Sequence, residues 1–406
     1  MPISASPDRP ISEIVREAIR AFVVKRDDSL TVIAGYPWFL DWGRDTLIFL
    51  RGMIAAGMLE ESREILATFA KFERGGTLPN MIRGGDDSNR ETSDAPLWFA
   101  VAAEDLAGHI GMDEALGARV SGGKPVGEAL RSIAQNYRSG TENGICSDPA
   151  SGLVFSPSHY TWMDTNYPAG TPREGYPVEI QALWAAALRF VGQIEGGEWG
   201  GLAEQVRQSI AQFFTRPGGW LSDCLHIHPG GSAAEARADD HLRPNQLFAV
   251  TLGAVDDPRL RRGIVRACEQ LLTPGGMRSL ADRRVAHPLP VFRDGHLLND
   301  PANPYAGRYG GDEDTQRKPA YHNGTSWMWP FPSFPEALFL AYGEPSRAAA
   351  RDLLGSAYSL FDAGCLGHLP EIADGDAPHD ERGCGAQAWS VSEWYRVYAR
   401  LAGSAC

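Results

Sequence analysis

The sequence lacks a long apolar run and an export signal. No stretch reaches the roughly 18 apolar residues that a membrane-spanning helix needs, and the hydrophobic share of 43% is ordinary for a globular chain. Residues 1–10 contain no basic segment followed by an apolar one, so they do not indicate a signal peptide. We therefore expect a cytoplasmic protein without a membrane partner.

Paired cysteine motifs are also missing. The cysteines stand alone, without a CxxC pair, which argues against a zinc site and against a compact disulfide framework. We expect reduced packing residues at positions 146, 224, 268, 365, 384 and 406. The pattern His226-Ile-His228 superficially suggests a metal site. No further ligand cluster lies near it in the sequence, so we interpret it as a loop strand and predict no metal.

Positive charge is scarce. The chain has 38 Lys and Arg against 51 Asp and Glu, which gives a formal net charge of −13. Such a chain is a poor partner for a polyanion, so neither nucleic acid nor an anionic membrane surface is predicted to bind. A neutral partner fits the charge better. The oligomeric state cannot be inferred from the sequence.

Apolar residues recur at helical spacing along most of the chain. About a dozen helices with short strand-like pieces at most are predicted, among them 126–137, 178–194, 201–214, 324–342, 346–361 and 386–401. No flexible linker divides the chain, so we expect one all-α domain over residues 1–406, with a leader and first helix at 1–29. The long connections 221–241, 278–323 and 364–385 indicate function. A toroid of helical hairpins would gather them around one funnel-shaped pocket.

Two segments have the composition of a ligand-binding loop. Residues 160–179 combine aromatic rings, carboxylates and a guanidinium: Trp162, Tyr167, Tyr176, Asp164, Glu179 and Arg173. Residues 34–46, just before a predicted helix, do the same with Trp38, Asp41, Trp42, Arg44 and Asp45. Such side chains suit a polyhydroxylated ring, which is stacked on one face and hydrogen-bonded around its edge. The alternative is an ordinary surface loop whose aromatic residues pack on a core.

Eight ordered segments carry a family resemblance. One reads Tyr-Pro-Trp-Phe-Leu-Asp-Trp-Gly-Arg-Asp-Thr at 36–46, and another reads Tyr-His-Asn-Gly-Thr-Ser-Trp-Met-Trp-Pro at 321–330. The others are at 161–164, 171–180, 243–246, 272–280, 370–372 and 385–393. Together they resemble the carboxy-terminal amylo-α-1,6-glucosidase domain of glycogen debranching enzymes, glycoside hydrolase family 133. The resemblance runs from about residue 30 to 402 and so covers nearly the whole chain.

The resemblance implies a fold, a reaction and a catalytic pair. It implies an (α/α)6 barrel that hydrolyses, with inversion, the α-1,6-linked glucose left at a trimmed glycogen branch. Asp164 is then the general acid and Glu371 the general base, and no cofactor is needed. Better-known members carry a transferase half or a sugar-binding domain ahead of this region, whereas this chain has a short leader. A small α-glucoside or short branched oligosaccharide is therefore an alternative substrate, and a non-catalytic carbohydrate-binding protein is a second alternative.

The local sequence bears on the carboxyl groups independently. Asp164 follows Trp162 and Met163, an apolar setting that should raise its pKa. Glu371 precedes a polar stretch, so we expect it to be hydrated and ionised, and the alternative is a solvated loop glutamate. Glu179 is a rival for the acid role. Its place at the start of a predicted helix would lower its pKa and make it a poorer proton donor.

Further residues are candidates for binding the substrate. In related glucosidases a pair like Arg44 and Asp45 grips the outer hydroxyls of the terminal glucose, and the alternative is a structural salt bridge. Trp327 and Trp329 suggest either a stacking wall or packing on the barrel core. Further binding candidates are Trp38, Asp41, Trp42, Trp162, Arg173, Glu179, His322 and Gln387.

Overall fold

Helices are the main regular secondary structure of the protein. A computed structural model describes residues 9–167 and 170–403, so the predictions on residues 1–8 and on Cys406 fall outside it. In this part the helices are α1 Ile11–Phe22, α2 Gly43–Ala55, α3 Leu59–Phe72, α4 Ala95–Ile110, α5 Met112–Gly117, α6 Val126–Ser139, α7 Val178–Glu195, α8 Trp199–Ser209, α9 Leu247–Thr251, α10 Pro258–Cys268, α11 Lys318–Tyr321, α12 Ser333–Tyr342, α13 Arg347–Leu354, α14 Tyr358–Phe361 and α15 Ala388–Ala402. None of them is long and apolar enough to cross a bilayer.

Six of the helices form a closed inner ring. These are α2, α4, α7, α9, α12 and α15; each packs on the next, and α15 packs on α2. The helices α1, α3, α6, α8, α10 and α13 lie outside the ring, and each contacts one or two inner helices. This arrangement is the predicted all-α toroid of helical hairpins, an (α/α)6 barrel.

The two rings differ in burial, as their sequences require. Residues 43–54 of α2 are all buried, and so are residues 178–188 of α7. A helix enclosed on every side is mainly apolar, and the two buried arginines of α2, Arg44 and Arg51, are paired with Asp94 and Asp105. The outer helix α1 buries a single face instead, formed by Val15, Ala18, Ile19 and Phe22.

Short antiparallel strands connect the helices. They are β1 Val23–Arg26, β2 Ser29–Val32, β3 Gly35–Tyr36, β4 Asp41–Trp42, β5 Met81–Ile82, β6 Cys146–Ser147, β7 Val154–Phe155, β8 Gly175–Pro177, β9 Thr215–Arg216, β10 Trp220–Leu221, β11 Cys224–His226, β12 Arg237–Ala238, β13 Leu272–Thr273, β14 Gly276–Arg278, β15 Phe292–Arg293, β16 His296–Leu297, β17 Ser326–Trp327, β18 Ile372–Ala373, β19 Glu381–Arg382 and β20 Ala386–Gln387. The largest sheets have the orders β13-β14-β17-β18-β19 and β12-β11-β8. In the larger one Trp327 pairs with Ile372, which places Glu371 beside β17.

One predicted helix is wrong over half its length. The predicted helix 324–342 begins only at Ser333, because residues 326–327 pair with β18 and β14 instead. Pro330 and Pro332 follow, and neither has the backbone N–H that a helix interior uses. Two other predicted helices, 201–214 and 346–361, are helical but change type. The first ends as a π-helix at Ile210–Phe214, and the second contains a 3-10 turn at Gly355–Ala357.

The cysteines of the described part are all unpaired. Cys224, Cys268 and Cys384 are buried, in agreement with a packing role. Cys365 is exposed, so the expectation of a packing residue is wrong there.

The first turns of the inner helices meet at one end of the barrel. Arg44, in the first turn of α2, donates to Asp94, the residue before α4. Gln387, the residue before α15, donates to Asp45. The long loops therefore extend from the end of the barrel at which these helices begin.

The ring closure between α2 and α15 depends on a glycine. A Cβ atom at Gly52 would collide with the backbone carbonyl of Ser392. We expect Gly52→Ala to push the two helices apart and to lower the free energy of unfolding by about 1–3 kcal/mol in a denaturant titration.

A helical glycine without neighbours is the control for that substitution. A Cβ atom at Gly108 in α4 meets open space, so Gly108→Ala should be neutral or stabilising by about 0.5–1 kcal/mol. Equal effects of the two substitutions would contradict the close packing of α2 on α15.

Candidate active site

Three carboxyl groups from distant parts of the chain meet at this end. Asp45 lies in the first turn of α2, Asp164 in the loop before β8, and Glu371 directly before β18. Burial raises the pKa of Asp45 well above its usual range, Arg44 opposes this rise, and the charges of Asp164 and Glu371 add to it. Hydrogen bonds link the three groups: Arg44, next to Asp45, donates to Asp164, and Gln387, which donates to Asp45, accepts from Cys384, whose backbone N–H donates to Glu371.

Asp164 is held by a buried arginine. Arg44 donates from Nη1 to Asp164 Oδ2 over 2.8 Å and from Nε to both oxygens of Asp94 over 2.8 Å. The side chain of Asp164 is 29% exposed and that of Arg44 only 3%, so the carboxyl stands at the pocket surface above the cation. Burial raises the pKa of Asp164, and Arg44 reduces this rise. The direction agrees with the sequence expectation, but Arg44 pairs with Asp94 and Asp164 rather than with Asp45.

Glu371 is buried, contrary to the expectation of a hydrated, ionised loop residue. Only 3% of Glu371 is exposed, because the pairing of β18 with β17 and β19 draws it into the five-stranded sheet. The hydroxyl of Tyr321 donates to Oε1, and the Cys384 backbone N–H donates to Oε2 over 2.9 Å. Burial raises the pKa of Glu371 to about 7, and these two hydrogen bonds limit the rise.

Tyr321 contacts Glu371, one of the two predicted catalytic carboxyls. Burial raises its pKa well above the usual range, and the charges of Glu371 and Asp164 both add to the rise. The Tyr321 ring centroid lies 4.8 Å from that of Trp327. The tyrosine therefore stays neutral and acts as a hydrogen-bond donor to Glu371.

Packed aromatic rings lie behind the carboxyl groups. Trp162 meets both Trp327 and Trp329 edge to face, with centroids 5.1 Å apart in each pair. Trp329 in turn stacks on Trp389 at 4.9 Å and on Phe248 at 5.3 Å. Of the two interpretations for Trp329, its contacts favour packing in the barrel core over stacking on a sugar.

His322 has the features of a binding residue. Its ring stacks on Trp327 with centroids 5.1 Å apart, and neither nitrogen finds a hydrogen-bond partner in the part of the chain that the structure describes. Burial, and then the charges of Arg243 and Arg44, keep its pKa well below the usual range, so the ring is neutral. A buried polar group left unpaired costs about 1–3 kcal/mol. A ligand hydroxyl would remove that cost.

Arg173 and Glu179 belong to a buried layer that supports the pocket. Arg173 donates to both oxygens of Glu179 over 2.5 and 2.6 Å and from Nε to Asp223 over 2.7 Å. Asp223 also accepts from Asn245 over 2.7 Å, and Trp162 Nε1 donates to Asn245 over 2.7 Å. Because Arg173 already engages both oxygens of Glu179, the pair fits a supporting role better than direct substrate binding or proton donation.

The segment 36–46 contributes fewer residues to the carboxyl cluster than its composition suggests. Asp41 turns away and accepts from Arg26 over 2.9 Å and from Thr31 over 2.6 Å. Trp42 is half-buried and packs edge to face on Phe39. Trp38 is 58% exposed at the surface. Asp41 is thus a structural residue of β4, and the prediction that it joins the binding site is not supported by its contacts.

Gln387 orients one of the clustered carboxyls. Its Nε2 donates to Asp45 Oδ1 over 3.2 Å, and its Oε1 accepts from Cys384 Sγ over 2.6 Å. Both ends of the Gln387 amide are thus engaged by protein groups, and its predicted contact with substrate stays a prediction.

An open cleft of about 770 Å³ adjoins the carboxyl cluster. Tyr309 lines it and also packs against Tyr321, with centroids 5.5 Å apart. The predicted long loops 278–323 and 364–385 supply its walls, with polar side chains that include Asp282, Asn299, Arg308, Gln316, Asp376 and Arg382. Asp374, which follows Glu371 closely in the chain, also lines the cleft, which has room for a polar ligand several rings long.

Sequence reasoning missed several residues that organise the site. Asp94 fixes Arg44, Tyr321 fixes Glu371, and Asp223 fixes Arg173. Tyr321 is the first residue of the segment 321–330, which carries part of the family resemblance, so the sequence did mark it as a candidate. Asp94 and Asp223 carried no such signal, because their partners lie 50 residues away in each case.

Known proteins resemble this chain over most of its length. A family model described as amylo-alpha-1,6-glucosidase matches residues 17–396. A glycogen debranching enzyme of Saccharomyces cerevisiae is 25% identical over 389 residues. That match covers 74% of this chain and 24% of the yeast protein, so the chain spans about a quarter of that relative's length.

Solved structures share the fold. A glycosidase solved in complex with glucose superposes with a TM-score of 0.62 at 14% identity over 97% of both chains. A GH63 mannosylglycerate hydrolase of Thermus thermophilus, solved in complex with Tris, gives 0.63 at 14% identity over 95% of this chain and 99% of that one. The fold and the family match agree with the clustered carboxyls and the polar cleft. The chain belongs to the amylo-alpha-1,6-glucosidase family.

Proposed function

We propose that this protein is a glycoside hydrolase that releases glucose from α-1,6-linked branch stubs of glycogen or a related branched α-glucan, with inversion. The observation that carries the proposal is the linkage of Asp164 and Glu371 to the first turn of α2 and to Gln387 by hydrogen bonds at one end of the barrel. Each of these two carboxyls has its own hydrogen-bond donor, Arg44 or Tyr321. Two separately held carboxyls in a pocket are the minimum that acid–base glycoside hydrolysis requires.

In the proposed reaction Asp164 protonates the departing glycosidic oxygen. Glu371 takes a proton from a water molecule, and the water oxygen attacks the anomeric carbon from the opposite face. The glycosidic bond breaks as the new C–O bond forms, so an α-linked substrate yields β-glucose. Burial raises the pKa of Asp164 and that of Glu371. A raised pKa lets Asp164 hold its proton at higher pH and makes Glu371 a stronger base.

Other pocket residues are proposed to bind the terminal glucose. The Arg44 Nη2 atom is buried and has no partner within residues 9–167 and 170–403, and it can donate to a sugar hydroxyl. His322 offers a donor and an acceptor, and Asp45 offers an acceptor held in place by Gln387. A site built on such groups rejects a sugar that lacks the matching hydroxyl.

The cleft is proposed to take the rest of the glucan. It opens beside Tyr309 and presents hydroxyl, amide and charged groups along loops that a pocket for glucose alone would not need. The name of the yeast relative supports a glycogen-type substrate. The name of the Thermus neighbour supports the alternative of a small glycoside.

The test is glucose release from a branched glucan trimmed to single α-1,6 glucose stubs, with the product anomer followed by NMR. β-Glucose formed by the wild type, and lost in Asp164→Asn and Glu371→Gln, would support the substrate and the inverting pair together. Cleavage of isomaltose alone, with the same dependence on both carboxyls, would leave the mechanism and overturn the substrate. Binding of glucan without hydrolysis of any glucoside would favour a non-catalytic protein.

Removing the Tyr321 hydroxyl should shift the pH dependence. The hydrogen bond from Tyr321 lowers the pKa of Glu371, which stands at about 7. In Tyr321→Phe that pKa rises. Because the base must be ionised, the acidic limb of the kcat/KM profile should move to higher pH.

Tyr309→Phe is the control for this shift. Tyr309 packs on Tyr321 and is not a hydrogen-bond donor to Glu371, whose oxygens accept from Tyr321 and Cys384. Its acidic limb should match the wild type. Superimposable profiles for Tyr321→Phe and the wild type would contradict the proposed role of Glu371 as base.

A further inference from the structure

Two histidines and an aspartate form a cluster at the sheet β12-β11-β8, outside the carboxyl pocket. His226 is the last residue of β11 and pairs with Arg237 of β12. Asp239 and His241 follow β12, and alternate residues of an extended chain point to the same side. The three potential ligand atoms, one from each side chain, all lie within 4.8 Å of one another.

The hydrogen bonds around His241 require a cation in this cluster. Its Nε2 lies 2.8 Å from the backbone oxygen of His287, which can only accept, so Nε2 carries a hydrogen. In a neutral ring Nδ1 then carries a lone pair and no hydrogen, and this atom lies 3.3 Å from Asp239 Oδ2. Two acceptors in contact are repulsive unless a proton or a metal ion lies between them.

Asp239 is fixed as a ligand would be. Its side chain is fully buried, its Oδ1 accepts from the Asp223 backbone N–H over 2.9 Å, and its Oδ2 lies 3.0 Å from His226 Nε2. A ligating histidine usually donates its other N–H to a carbonyl or carboxylate, as His241 does to His287. The orientation of both ligands is therefore set by groups outside the cluster.

We propose that His226 Nε2, Asp239 Oδ2 and His241 Nδ1 bind a zinc ion. Tetrahedral zinc with bonds of about 2.0–2.1 Å holds neighbouring ligand atoms about 3.3 Å apart, close to the separations of Oδ2 from the two nitrogens. Two imidazoles and one carboxylate favour zinc over calcium or magnesium, which prefer oxygen ligands. His226 is 23% exposed, which leaves a fourth position open to water.

The zinc site would stabilise the buried layer formed by Arg173, Asp223 and Asn245. Asp239 is joined to Asp223 by a hydrogen bond, and Asp223 holds Arg173 and Asn245. The zinc ion would thus link β11 and β12, through Asp223, to Asn245, which accepts a hydrogen bond from Trp162. Its role is structural, and no step of the proposed hydrolysis passes through it.

The proposed zinc site departs from the sequence prediction, which was a loop strand at 226–228 and no metal. The second histidine of that pattern is not part of the cluster. His228 is 97% exposed and contacts Glu174, away from the cluster. The partner of His226 lies instead across β12. His228→Gln is therefore a matched control, since it removes a histidine two residues from a ligand and leaves the site intact.

The experiment measures zinc binding by the full chain after dialysis against a chelator and then against buffer. We expect one equivalent of zinc by calorimetry and elemental analysis, a higher Tm with zinc, and the visible absorption of tetrahedral cobalt when cobalt replaces zinc. His226→Gln and His241→Gln should each weaken zinc binding at least tenfold and abolish the cobalt spectrum. His228→Gln should bind as the wild type does.

Two outcomes would overturn the proposal. One is the absence of stoichiometric binding in a folded wild type, which would leave a protonated His241–Asp239 ion pair in place of the metal. The other is equal binding by wild type and His226→Gln, which would indicate zinc bound elsewhere on the surface. Because His226 is part-exposed, its replacement keeps the test valid even if His241→Gln fails to fold.

Discussion

Asp164→Asn and Glu371→Gln are each expected to lower kcat on the trimmed branched glucan by roughly 10²- to 10⁴-fold. Each substitution keeps the size of the side chain and removes its ability to exchange a proton. KM should change much less than kcat, because the proton transfers stabilise the transition state rather than the bound substrate. Initial rates of glucose release at several substrate concentrations measure both quantities.

An α-glucosyl fluoride substrate should separate the two roles. Fluoride departs without a proton from the enzyme, so Asp164→Asn should retain most of its activity on this substrate. Glu371→Gln should remain inactive, because the attacking water still needs a base, and added azide should restore turnover as β-glucosyl azide. The same Glu-to-Gln change at Glu381, a half-buried residue of β19, should leave the rates unchanged.

The structure gives this experiment a specific alternative. Arg44 donates to Asp164 and favours its ionised form, while burial raises the pKa of Glu371 to about 7. Both features would also suit an exchange of roles, with Glu371 as acid. Activity on the fluoride retained by Glu371→Gln and lost by Asp164→Asn would contradict the assignment that the family resemblance implies.

The helices of the barrel were predictable because their signal is local. Apolar residues at helical spacing identified 126–137 and 178–194, and α6 and α7 occupy these positions within a few residues. The carboxyl residues were predictable for another reason: short motifs place them by resemblance. Their surroundings were not, as Glu371 shows. It is buried by strand pairing with β17, whose sequence lies about 45 residues earlier.

The segment 36–46 marks the limit of composition as a guide. Asp41 and Asp45 are four residues apart in one motif, and both were predicted to bind substrate. Asp41 lies in β4 and accepts from Arg26, whereas Asp45 lies in α2 and accepts from Gln387. Only the change from strand to helix at Gly43 separates their roles, and the partner of each lies in another segment.

The second large effect concerns stability, at a buried ion cluster on α12 and α15. Arg396 donates to both oxygens of Glu336 over 2.9 and 2.7 Å, and Arg400 donates to the same carboxylate over 2.7 Å. Burial alone would raise the pKa of Glu336, but these arginines lower it from its usual 4.5 to about 2. Glu336→Gln should lower the free energy of unfolding at pH 7 by about 3–5 kcal/mol, because Arg396 loses a buried partner.

The sign of the pH dependence follows from the lowered pKa. The contribution of Glu336 is fully present above pH 4.5, where the unfolded chain also carries the charge, and it is lost as the pH falls through 2. Of the total effect, about 3 kcal/mol depends on pH in this way. The difference between wild type and Glu336→Gln in urea titrations should therefore shrink from pH 7 to pH 3.

Glu344→Gln is the control for this effect. Glu344 is 72% exposed and also pairs with an arginine, Arg347, yet an exposed pair contributes little. Its replacement should leave the free energy of unfolding nearly unchanged at either pH. If Glu336→Gln changed the free energy of unfolding as little as Glu344→Gln, the buried ion cluster would contribute no more to stability than an exposed ion pair. The contact of α12 with α15 would then depend on the apolar residues of the ring alone.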